Sequence, residues 1–102
     1  MPERTDHVQP DEYLRRATGP SEDVRAVLIA MADRLTHVRP HGEMDDSRRL
    51  ALILRYATDR LGFGPAGEAL EVEVRSYAPR ITGKSTRGEY ALILRRAAGG
   101  AA

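Results

Sequence analysis

Val24, Val27, Leu28, Met31, Leu35 and Val38 recur at intervals of three and four, and Leu50, Ile53, Leu54, Ala57 and Leu61 repeat that spacing further on. Such a period puts each set on one side of a helix, and two long apolar stripes must be covered by each other or by a third surface. Ser21 stands where a helix N-cap belongs, with Glu22 and Asp23 in the first turn, and Arg39-Pro40 stops the pattern. The second helix is expected from about Asp46 to Leu61, with Gly62 placed to end it. Leu52 and Tyr56 lie i,i+4 on a flank away from the main stripe, so they are assigned to an interface, and a homodimer is expected.

What covers these helices must come from the rest of the chain. In "ALEVEVRSY", Leu70, Val72 and Val74 alternate with Glu71, Glu73 and Arg75, the period of a half-buried strand. A strand needs a partner, and "EYALILRR" alternates Tyr90, Leu92 and Leu94 between Gly88 and Gly99. Its core, Ala-Leu-Ile-Leu-Arg, repeats residues 51–55 at 91–95. The first copy continues a helical stripe on both sides; the second is assigned to a strand, because the first strand would otherwise be alone. The expected fold class is α+β, with two long antiparallel helices and a short N-terminal helix packed on a C-terminal two-stranded antiparallel β-hairpin.

The short helix is placed at Asp11–Ala17, between Pro10 and Gly19-Pro20. Residues 1–9 and 98–102 read as flexible tails, which leaves 10–97 as a single domain, a size that supports one core. Cysteine is absent, excluding disulfides and thiolate metal sites. No apolar run approaches the roughly 20 residues of a membrane span, and the N-terminus has no secretory h-region, so a cytoplasmic protein without a membrane partner is expected.

"APRITGKS", Ala78 to Ser85, ends in Gly-Lys-Ser and resembles the P-loop of nucleotide triphosphatases, with Lys84 and Ser85 in the lysine and hydroxyl positions. That family needs a parallel sheet and a second, acidic strand end to hold its metal, and the residues around the string supply neither. The string is read instead as the tip of the hairpin, turned at Gly83, and no cofactor is assigned.

"HVRPHGEMDD" crowds His37, His41, Glu43, Asp45 and Asp46. Pro40 separates the histidines from a common helical face, so the carboxylates read as caps of the next helix and no metal site is assigned. Nucleophilic catalysis finds no cysteine and no serine in a glycine-flanked elbow, so the chain is read as non-enzymatic.

Sixteen basic residues against fifteen acidic leave a net charge of +1, but from residue 71 onward six basic residues face three acidic ones. Arg75, Arg80, Lys84 and Arg87 are therefore assigned to contact duplex nucleic-acid phosphates from the basic hairpin. The order of helices followed by a basic hairpin resembles winged-helix DNA-binding domains, from which the long "RPHGEMD" connection departs. The leading expectation is a nucleic-acid-binding or regulatory module. The alternative is a protein-interaction module, an adaptor or inhibitor, working through the apolar helix face that carries Leu52 and Tyr56.

Overall fold

Ser21 accepts a hydrogen bond from the Val24 N–H through its side chain, and Asp45 does the same for Arg48. From these caps run α1, Glu22–His37, and α2, Asp46–Leu61, both where the spacing places them. The computed structural model describes residues 19–99. Two further helices complete the described chain: α3, Pro65–Tyr77, and α4, Arg87–Ala97.

α1 touches each of the other three helices and carries the centre of the core through Val24, Val27, Leu28, Met31, Ala32 and Leu35. α2 runs antiparallel to it, since Arg60 in its last turn donates to Asp23 in the first turn of α1 at 2.8 Å. α3 turns back along α2 through Gly62-Phe63-Gly64, where both glycines take left-handed φ values, 83° and 123°, that other residues resist. α4 lies antiparallel along the other side of α1, with Gly88 beside Pro40 at one end and Gly99 beside Arg25 at the other. Ile53, Leu70, Val74, Tyr90 and Leu94 close onto the α1 stripe, and full burial of each such side chain stabilises by about 1.5–3 kcal/mol.

The α+β expectation is overturned: the described residues contain no strand, only an isolated antiparallel bridge between Glu43 and Thr86. Residues 70–75 belong to α3 and residues 90–96 to α4, so there is no β-hairpin and 78–86 is a loop between helices. The physical reason lies in how these helices start. Pro65 sits at the first helical position, where its missing N–H costs nothing, and Glu68 follows in the first turn. Within α3, Leu70 and Val74 are buried one turn apart, whereas Val72, which the strand reading put on their face, is 59% exposed.

For α4 the start is a capping box: Thr86 accepts from the Glu89 N–H at 3.1 Å and its own N–H reaches the Glu89 carboxylate at 2.9 Å. With no lone strand to be paired, the leucine-rich segment keeps its local preference for helix. Both copies of Ala-Leu-Ile-Leu-Arg are therefore helical but rotated: α2 buries Ile53 of its copy, whereas α4 buries Ala91 and Leu94. Ala98, assigned to the C-terminal tail, is buried as the last residue packed below α4. The short helix at 11–17, the 1–9 tail and residues 100–102 lie outside the described residues.

Candidate functional site

The antiparallel packing brings the α1–α2 loop and the α3–α4 loop to the same end of the molecule. They are joined by backbone: Met44 N–H to Ser85 O at 2.9 Å, Arg87 N–H to Gly42 O at 2.8 Å, and Gly88 N–H to Pro40 O at 2.8 Å. A buried cation anchors the neighbouring part of the same end. Arg49, 4% exposed, donates through Nε to Ala78 O at 2.9 Å, through Nη2 to Arg75 O at 3.2 Å and through Nη1 to Asp46 at 3.1 Å. Asp46 also accepts the Ile81 N–H at 3.0 Å, and this hydrogen bond is the main reason its carboxyl is held below the usual range; burial opposes it, and Arg49 and Arg80 reinforce it. Tyr90 donates to Pro79 O at 2.6 Å, and burial pushes its hydroxyl up to about 12.

On this frame Arg39, Arg48 and Arg87 wall one recess of about 200 Å³ together with Gly42 and Glu43. Arg87 is fixed by its Nε, which donates to Val38 O at 2.8 Å, and Arg48 by Asp45 at 2.8 Å. A Cβ on Gly42 would stand 3.2 Å from the Arg87 Cδ, so the glycine lets that stem lie against the loop. Arg39 adopts φ 52°, a left-handed conformation that costs a non-glycine residue roughly 1–2 kcal/mol. Burial first, and then repulsion from Arg34, Arg48 and Arg39, lowers the Arg87 guanidinium from its ordinary value. Cations are thus held together here against their mutual repulsion, a local field that favours an anion.

The residues assigned from the sequence do not line one recess. Arg87 belongs to the recess. Lys84 instead lines a wider cavity of about 580 Å³ with His41, Glu43, Ser85, Thr86 and Glu89, where two carboxylates offset its charge. Arg80 lies near Asp46, and Arg75 is exposed on α3 with its carbonyl engaged by Arg49. Reading along the chain misses Arg34, Arg39 and Arg48, because they come from the first half and meet Arg87 only through the loop pairing. The arginine immediately before Pro40 is the one available signal.

The Gly-Lys-Ser string follows a helix instead of a strand, and the first N–H groups of α4 are spent on Gly42, Pro40 and the Thr86 side chain, so they do not form a phosphate cradle. His37 contacts the Asp33 carbonyl at 2.7 Å, and His41 and Glu43 face the wider cavity; among the described residues no three ligand-type side chains gather around a common point. Among the described residues, no helix is long and apolar enough to cross a membrane.

Leu52 and Tyr56 are half-buried and pack against the core. The apolar surface left on α2 is the opposite flank, Leu50, Leu54 and Leu61, 41–52% exposed, continued by Phe63 at 95%. The chain matches no protein-family model, no curated protein and no solved structure.

Proposed function

We propose that the chain is a small, non-enzymatic cytoplasmic module that binds duplex nucleic acid by setting its arginine-rich end against backbone phosphates. One observation carries this reading: Arg39, Arg48 and Arg87 wall a common recess at the joined loops, with Arg34 in the last turn of α1 close enough to repel Arg87, and among the described residues Arg48 alone of these four has a carboxylate partner. Elsewhere Arg49, Arg60 and Arg95 each have one. Guanidinium forks suit phosphate oxygens, and neutralising phosphates releases counterions, which makes binding steeply salt-dependent.

The triple variant R34A/R39G/R48A tests it by fluorescence anisotropy on random duplex DNA. These side chains are exposed, and glycine at 39 relieves the left-handed strain, so the variant is expected to fold as wild type does. Its log–log salt slope should become shallower by about 0.9 for each phosphate that is no longer neutralised, whereas R75A/K84A keeps the wild-type slope. Wild-type protein that shows no salt-dependent binding overturns the reading.

A second reading, protein interaction, is favoured by the exposed flank of α2. Leu50, Leu54 and Leu61 follow one another at helical spacing with Phe63 beyond them, and a second copy presenting the same flank is the simplest cover. Light scattering at high micromolar concentration is expected to give twice the chain mass, reduced to one chain by L54E. A monomeric wild type removes this reading.

A further inference from the structure

We propose that the recess walled by Arg39, Arg48 and Arg87 seats a single terminal phosphomonoester, the phosphate at the end of a nucleic-acid strand. This rests on the reading that the arginine end contacts nucleic acid, and it names the group that is recognised there.

Shape is the first argument. A backbone phosphodiester carries a sugar on both sides and is met by cations that protrude into solvent. A recess of about 200 Å³ between the α1–α2 loop, the start of α2 and the start of α4 suits a group tethered on one side, which can enter it end-on. Charge is the second. Its walls carry Arg39, Arg48 and Arg87 against Glu43, with Asp45 paired to Arg48, and the balance is positive. A phosphomonoester carries about −1.5 to −2 at pH 7 and gains more from such a lining than a singly charged diester does.

Preorganisation is the third. Arg48 is held by Asp45 and Arg87 by the Val38 carbonyl, so two of the three arginine walls are positioned before the ligand arrives. Among the described residues the terminal guanidinium nitrogens of Arg87 have no protein partner and are free to form a fork on phosphate oxygens. Glu43 is the one acidic wall, and its carboxylate opposes the ligand.

The test uses the full chain and one duplex prepared in two forms, with a terminal phosphate on one strand or with hydroxyls only. Anisotropy titrations at two salt concentrations should show about tenfold tighter binding of the phosphorylated duplex. R87K, which keeps the charge but loses the fork, and R39G should each abolish that gain, with thermal melts confirming that they fold. E43Q should enlarge it severalfold, and millimolar inorganic phosphate should compete it away. If both duplexes bind equally, with a salt slope that still responds to the arginine variants, the terminal-phosphate inference is wrong and backbone contact stands. If inorganic phosphate alone raises the melting temperature while the duplex end makes no difference, the ligand is a free phosphate and the inference is again wrong. If neither duplex binds, both proposals fall.

Discussion

Gly67→Ala is expected to destabilise the fold by about 3 kcal/mol, a fall in melting temperature on the order of 15 °C. The direction is opposite to what helix propensity alone says. Gly67 lies inside α3, and replacing a helical glycine by alanine ordinarily gains up to about 1 kcal/mol. Here, however, an added Cβ would stand 2.0 Å from the Gly62 carbonyl oxygen, a backbone atom inside the tight turn that reverses α2 into α3. Neither partner is a flexible side chain, so relief requires the turn or the start of α3 to move, carrying Leu70 and Val74 off the core. Thermal unfolding of the single variant decides this, and a neutral or stabilised G67A would show that the α2–α3 turn yields easily.

Arg49→Ala is expected to cost about 3 kcal/mol, because it empties a buried volume and strips the Ala78 and Arg75 carbonyls of a charged donor. Lysine at this position should recover only part of the loss, since a single ammonium cannot reach both carbonyls and Asp46 together. Denaturant midpoints of R49A and R49K measure both. The same hub predicts an acid response with a definite sign. The folded-state pKa of Asp46 is depressed, so its stabilising contribution is complete above the ordinary carboxylate value and is lost as pH falls through the lower, folded-state value. D46N should flatten that acid limb; an unchanged limb would mean that other carboxylates set it.

The two long helices are legible in the sequence because their caps and stripes lie within single turns of chain, where spacing alone reports them. α3 and α4 are equally well marked, by Pro65 at a first helical position and by the Thr86-to-Glu89 capping box, yet the alternation of Leu70, Val72 and Val74 masks those starts. Three apolar residues two apart include a pair four apart, and such a short run does not separate the two periods. One misread strand then requires another, and the requirement can be met only by overruling the leucine-rich copy at 91–95. Beyond the arginine before Pro40, the arginine recess leaves no mark in the sequence, since its walls come from three segments that only the joined loops bring together. Of the four basic residues assigned from the sequence, Arg87 alone lies in it, among neighbours that no spacing reveals.

The backbone joint between residues 40–44 and 85–88 also sets how the molecule opens. α4 is held to α1 by its buried face and, at its first turn, to the α1–α2 loop by the carbonyls of Pro40 and Gly42. Local unfolding that releases α4 must break those bonds and carry Arg87 away from Arg39 and Arg48, so detaching the helix and dissolving the recess are one event. An occupant of the recess therefore latches α4, and the amides of Arg87 and Gly88 should exchange their hydrogens more slowly the more of that occupant is present.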